Sequence, residues 1–325
     1  MKKKIFIYLL AALLVSCKEN KKEIETTSVE NNTIENKTNY PSIKVGKGPD
    51  ALFLTPDKSF LYVANVEDTL ISVIDTRTDK VLKNIDGIRY PWGFVYLAES
   101  NLVAVSGYDK QVAIIDFNNH TILKEKLFDT HIGGITANKK GNLIYTISID
   151  DNKVLQLDAN TLNILKTFPT GKGPDGIGIS GNDSKLFVTN TEDGSISVID
   201  IETGQQSILK TGGKPELIHS NKDHSLLYIS NFLKNKIHII DTEKGEIVNE
   251  INNVVTPEEA VLSKDEKLLY VVSFDLGELS VYDASTLEKQ SVTYKTGKKP
   301  IGVMPVGNKL YVSNYGGNSI SIINK

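Results

Sequence analysis

One pattern, returning seven times at nearly constant spacing, decides what this chain can fold into. An apolar run ends at Asp75, Asp116, Asp158, Asp200, Asp241, Asp283 and Asn324, in steps of 41, 42, 42, 41, 42 and 41 residues. Ten residues before each mark stands a small polar residue: Asn65, Ser106, Ser148, Asn190, Asn231, Ser273 and Asn314. Each follows a run such as Leu61-Tyr62-Val63, Leu186-Phe187-Val188 or Leu310-Tyr311-Val312. β-Branched and aromatic residues suit a pleated, half-buried surface, and a period in the low forties with several short strands per unit is that of propeller blades.

The fourth unit shows four strands. Gly176–Ser180 reads as strand a, Lys185–Asn190 as b, Ser195–Asp200 as c and Gln206–Thr211 as d. The turns Gly181-Asn182-Asp183, Glu192-Asp193-Gly194 and Glu202-Thr203-Gly204 separate them, and segments this short leave no room for a buried helix. The predicted fold is all-β: a seven-bladed β-propeller of four-stranded antiparallel blades. The seventh unit lacks a strand d, whereas Ser42-Ile43-Lys44-Val45 precedes Gly46-Lys47-Gly48-Pro49-Asp50, a near copy of Gly171-Lys172-Gly173-Pro174-Asp175. A strand over 42–46 is therefore expected to complete the last blade and close the ring, removing edges that invite aggregation.

The segments Tyr62-Val63-Ala64-Asn65, Phe187-Val188-Thr189-Asn190 and Tyr311-Val312-Ser313-Asn314, each followed by a Ser-Val-Ile-Asp-like strand, resemble the YVTN family of seven-bladed β-propellers (YncE-like). The resemblance covers residues 42–325 and implies the fold. It says little about activity, because propellers host many unrelated roles.

Ahead of the repeats, residues 1–17 have the build of a lipoprotein signal peptide. Lys2-Lys3-Lys4 is the charged region, Ile5–Val15 the apolar core, and Leu14-Val15-Ser16-Cys17 matches a bacterial lipobox. The apolar run is too short for a stable spanning helix. Cleavage before Cys17 and diacylglyceryl transfer to its thiol would anchor the protein, since about 0.8 kcal/mol per buried methylene over two or three acyl chains makes release negligible. Cys17 is the only cysteine, so no internal disulfide forms. Lys18 follows it where an Asp would signal inner-membrane retention, and Lys18-Glu19-Asn20-Lys21-Lys22-Glu23 resembles the charged export signals of Bacteroidetes surface lipoproteins. An outer-membrane lipoprotein, periplasmic or surface-exposed, is expected. Residues 18–40 are too polar to bury a core and are expected to form a disordered tether with a reach of roughly 25–30 Å, followed by one propeller domain over 41–325.

Charge narrows the partners. Residues 1–40 hold seven Lys and five Glu, leaving the propeller 30 basic and 35 acidic residues, a net charge of −5. Nucleic-acid binders carry the opposite imbalance, so none is expected as a partner. A basic partner surface would suit the acidic domain, and the domain is expected to be a monomer.

Strands that alternate in direction put the loops leading into strand a and the b–c loops on one face. The lead-in loops supply Asp50, Trp92, Asp175, Glu216 and Glu258, four acids after proline with the only tryptophan among them, and Tyr90 beside it. The b–c loops add Tyr108 and Tyr315. Proline fixing a turn, with the acid accepting nearby backbone amides, explains such a series by repetition alone. The alternative is a convergent anionic and aromatic bowl for a cation or a large organic ligand, and those eight residues are its candidates. The Asp75 series reads instead as turn-forming carboxylates bonded to their own backbone.

No chemistry beyond binding is legible. His120, His131, His219, His224 and His238 have no ligand spacing, although His131 and His219 lie where they could approach the axis. There is no haem-attachment motif, no Gly-x-Ser-x-Gly elbow, no phosphate loop and no His-Glu-x-x-His. No catalytic residue, metal ligand or cofactor is assigned. The expected role is a lipid-anchored module that binds a small molecule or docks on an envelope partner, and the resemblance in architecture to the Bacteroidetes propeller lipoproteins of cobalamin capture implies an outer-membrane transporter as such a partner. A lactonase-like propeller enzyme and a structural or adhesive surface protein are the alternatives.

Overall fold

The computed structural model describes residues 40–325, so the expected signal peptide, Cys17 and the expected tether up to residue 39 lie outside the described residues. Among the described residues no helix is long and apolar enough to cross a membrane. The strands form seven antiparallel four-stranded sheets, one per repeat. Blade four runs Pro174–Ile179, Lys185–Asn190, Ser195–Asp200 and Gln206–Lys210. Its inner strand starts two residues earlier than the sequence reading placed it, because Pro174 already pairs with Asn190.

The ring closes as expected, with a shorter strand. Ser42–Lys44 pairs antiparallel with Ser319–Asn324 in the register Ser42↔Ser321, Ile43↔Ile320 and Lys44↔Ser319. It becomes the outermost strand of blade seven, whose inner members are Pro300–Val306 and Lys309–Asn314.

The core lies between blades. Each of the seven hydrophobic clusters spans two neighbouring blades, and the seven together cover every neighbouring pair around the ring. Alternation along the strands makes this possible, since side chains on opposite faces of one sheet serve opposite interfaces. Tyr62, Tyr145, Tyr270, Tyr311 and Phe187, all from the middle of strand b, are fully buried, each adding about 2–3 kcal/mol of burial free energy. The outer strands are solvated: Thr121–Leu127 exposes Lys124 and Glu125, charges of the kind that blunt a free sheet edge.

The repeated polar residues do local work. Asn190 Nδ2 donates to Ser195 Oγ and Ser197 Oγ, both at 3.0 Å, and Asn314 Nδ2 donates to Ser321 Oγ at 2.9 Å, fastening strand b to strand c. The Asp75 series caps the outer c–d turns, as the sequence reading held. Asp200 Oδ1 accepts the Thr203 amide at 2.7 Å, and Asp75 Oδ1 accepts those of Arg77 and Thr78 at 2.9 and 3.0 Å. Those amides, that of Thr203 on Asp200 and that of Thr78 on Asp75 foremost, hold both carboxyls below their usual range.

Candidate functional site at the acidic end of the axis

Every inner strand begins with a β-bulge. The register slips between Pro49 and Leu52, Pro91 and Gly93, Ile132 and Ile135, Pro174 and Ile177, Pro215 and Ile218, Pro257 and Ala260, and Pro300 and Val303. Each slip inserts one unpaired residue, a device that re-aims a side chain. The residue after each proline falls in this bulge, which is how Asp50, Asp175, Glu216 and Glu258 come to one end of the axis.

The bulges are held by hydroxyls from strand b. Thr189 Oγ1 accepts the Gly176 amide and donates to the Glu216 carbonyl of the next blade, both at 2.7 Å. Ser313 Oγ does the same with the Gly302 amide and the Asp50 carbonyl, again at 2.7 Å, so this stitch also spans the closure. Glycine lets the blades approach this closely: a Cβ at Gly134 or Gly302 would come to 2.5 or 2.7 Å from the carbonyl oxygens of Asp175 and Asp50.

The side chains of the ring are not satisfied in the way a repeated turn would require. None of the four carboxylates accepts a backbone amide among the described residues, and Glu216, 7% exposed, has one partner, the Lys214 ammonium on Oε1. Its Oε2 is buried without any partner. Burial, then the charges of Glu259, Asp175 and Glu216, push Asp50 up to about 8. Burial pushes Glu216 up to about 7 against the pull of Lys214. Glu258 is raised well above its usual range by burial and by Glu216 and Asp50, and Asp175 is raised by burial. Burial disfavours the Lys214 ammonium, but Glu216, Asp175 and Glu258 outweigh it and raise that group too. The ring thus holds more carboxyls than its one internal ammonium can pair, and the surplus favours protonation over unpaired charge. No group of three His, Asp or Glu side chains among the described residues is placed to share a metal ion.

Two participants went unnoticed in the sequence. Glu259 follows Glu258 at a position that is Gly93, Gly134, Gly176 or Gly302 in other blades. Its buried carboxylate joins three blades: Oε1 lies 2.6 Å from His219 Nε2, and Oε2 accepts the Val303 amide. Burial works against the His219 imidazolium, but Glu259 outweighs it and raises the group. Lys214 is the second. Blade four leads in through Gly171-Lys172-Gly173-Pro174, blade five through Gly212-Gly213-Lys214-Pro215, an exchange of Lys and Gly that was the available signal. Gly48, Tyr90, Gly173, Thr256 and Lys299 precede their prolines with left-handed backbone, whereas in blade five Gly212 and Gly213 take that conformation, and Lys214 is free to turn inward to Glu216.

The aromatic candidates occupy the remainder of this face. The Trp92 and Tyr108 rings lie 5.5 Å apart, and Tyr108 and His131 4.9 Å apart, while His131 Nδ1 meets Asp150 Oδ2 at 2.8 Å. Tyr315 donates to Glu67 across the closure, within electrostatic reach of Asp50. Tyr90 serves the turn: its φ is +52° and its carbonyl accepts the Tyr108 amide at 2.9 Å. A Phe232–Phe274 pair, 6.0 Å between centroids, adds apolar surface beside Lys214, whose Nζ stands 5.8 Å from the Phe232 centroid.

Comparison with known proteins agrees with this architecture. Residues 21–310 match the model of a family described as YNCE-like beta-propeller. Antigen Lp49 of Leptospira interrogans serogroup Icterohaemorrhagiae is 26% identical over 219 residues, 58% of this chain and 46% of that protein, so the chain spans about half the length of this curated relative. Among solved structures, the Hydrazine Synthase of Kuenenia stuttgartiensis superposes with a TM-score of 0.72 at 18% identity, covering 91% of this chain and 99% of that one. The Cps50 (Swd1) beta-propeller domain of Myceliophteria thermophila gives a TM-score of 0.75 at 13% identity over 89% and 98%. At these identities the structural likenesses carry the fold alone.

Proposed function

The chain belongs to the YNCE-like beta-propeller family, and from that premise we propose that it is an exported, lipid-anchored binding module whose acidic axial end captures a ligand or a partner. The observation that carries the reading is a ring of four carboxylates with one internal counter-ion, in which Glu216 is buried, the other three are half-buried, and Glu216 Oε2 has no partner. Leaving such a group unsatisfied costs about 1–3 kcal/mol or more. A protein that keeps one such oxygen among four carboxylates, on the face that also carries the Trp92–Tyr108–His131 aromatic cluster, has a place for a ligand that supplies positive charge and a surface to lie on. The lipobox at Cys17 and the tether would hold this face at an outer membrane, beside a transporter or other envelope partner. A hydrolytic reading of the lactonase-like kind has one observation on its side, the His219–Glu259 pair at 2.6 Å.

The test compares full-length wild type with Asp175→Asn/Glu216→Gln, each recovered from its own envelope in mild detergent and examined by native mass spectrometry. The wild type is expected to retain a small molecule or a membrane protein that the double variant loses, and Cys17→Ser is expected to leave the protein without acyl chains. Equal retention by wild type and double variant removes the binding reading, and acyl-free wild type removes the anchor.

A further inference from the structure

Lys214 enters the ring from outside the inner strand and looks like a guest there. Its backbone is pinned, the amide donating to Asn231 Oδ1 at 3.0 Å, but its side chain is 44% exposed, with the ammonium on Glu216 Oε1. The ammonium is the only cation that touches the ring carboxylates among the described residues. It neutralises one oxygen of Glu216, leaves the buried Oε2 unpartnered, and stands beside an aromatic ring, Phe232, that favours a cation. The double glycine before it, with φ of +63° at both residues, gives blade five the lead-in that points this lysine inward. Its counterpart in blade four, Lys172, is followed by Gly173 and makes no such ion pair.

We propose, resting on the binding reading above, that Lys214 is a built-in stand-in for the ligand: the ring receives a primary ammonium on a short aliphatic stem, and Lys214 swings out to admit it. The side chain itself shows what fits, an ammonium on a flexible four-carbon stem. Because the ligand takes the place of a side chain of the same form, no cavity beyond the one Lys214 vacates is needed. The exchange is of like for like in charge, so it leaves the desolvation of Glu216 unchanged and lets the displaced ammonium return to water. An internal competitor also lowers apparent affinity by the fraction of time it occupies the site, which keeps the mouth closed to weaker cations. The same chemistry could arrive as a free diamine or as a lysine on a docking protein.

Trp92, the only tryptophan and a member of the same post-proline series, serves as the fluorescent reporter. Full-length protein in detergent is titrated with 1,5-diaminopentane, with a backbone-blocked lysine amide, and with tetramethylammonium and sodium as controls. Lys214→Met is expected to bind both primary amines about tenfold or more tighter than wild type, with no gain for the two controls, and adding Glu216→Gln to it is expected to abolish the gain. A larger gain for the diamine identifies a free amine as the source, and a larger gain for the lysine amide a docking protein. Lys214→Gln, which keeps a polar tip, repeats the test where the methionine variant folds poorly by circular dichroism. Unchanged or weakened amine binding in a folded Lys214 variant overturns the stand-in role. If the envelope ligand is nevertheless still lost on Asp175→Asn/Glu216→Gln, the binding reading survives without it.

Discussion

The molecule carries two repeated series of acids, and the repeat treats them in opposite ways. At the outer turns, Asp75, Asp116, Asp200 and their counterparts are half-exposed with backbone amides aimed at them, and their carboxyls lie below the usual range. At the inner bulges, Glu216 is buried and Asp50, Asp175 and Glu258 are half-buried without amides to receive them, and their carboxyls lie above it. The outer series is a local solution that any copy of the turn reproduces. The inner one exists only because seven blades meet, which is why it differs from blade to blade, with Trp92, Gly133 and Ile301 at the matching positions. A series that repetition alone maintains is satisfied within its own unit, while a series under another demand bears a cost that its unit cannot relieve.

The most severe way to break this contrast is to open the ring. Removing residues 41–46 takes away Ile43, 8% exposed in the blade seven–blade one cluster, and the strand that covers Ser319–Asn324. A fall of about 5–10 °C in melting temperature is expected. The inner carboxyls should then titrate near ordinary values while the outer ones stay depressed, as carboxyl NMR would register. An unchanged melting temperature would contradict the closure.

A smaller effect sets the two series against each other by pH. Asp50 and Glu216 bind protons more tightly folded than unfolded, so the stabilisation this gives is complete below about pH 4, the unfolded value, and is lost as pH rises through about 7 to 8, the folded values. Wild type is expected to melt several degrees lower at about pH 8.5 than at about pH 5. Asp175→Asn/Glu216→Gln should reduce that slope, Asp50 and Glu258 keeping the rest, and melt above wild type at the higher pH. A slope as steep in the double variant as in wild type would show that Asp175 and Glu216 are not among its sources.

Smallest is the response of the outer series. Asp116 Oδ1 accepts the Asn118 amide at 2.9 Å on an exposed turn, and its depressed carboxyl adds stability that is present above its unfolded value and lost as pH falls below about 4. Asp116→Ala is expected to lower the melting temperature by no more than about 2 °C at neutral pH. A loss as large as that from opening the ring would put the outer turns among the supports of the fold.

The same contrast explains what could be read in advance. Fold, blade number and the place of closure were legible, because marks such as Asp200 and Asn190 recur at fixed spacing and each has one local reason to be there. The acids of the inner ring were legible as candidates from Pro174-Asp175 and Pro215-Glu216, since strand parity puts their loops on one face. Their isolation from backbone amides was not, because it depends on a register slip that leaves no composition signal. Lys214 and Glu259 were visible only as small departures, a lysine and a glycine exchanged and an acid where other blades hold glycine, and the significance of both comes from neighbouring blades rather than from their own.

The closing strand has a mechanical side. Ser42–Lys44 is three residues long and its first backbone hydrogen bond to the ring is at Pro41, whose carbonyl accepts the Ile322 amide at 2.8 Å. Any tension arriving from the N-terminal side loads that bond first and then the next, one after another, as a zip is drawn, instead of sharing the load along the strand. A propeller held at its N-terminus is therefore fastened to its support by the seam that also shuts it, and a sufficient pull would unlace the ring before it tore any blade from its neighbour.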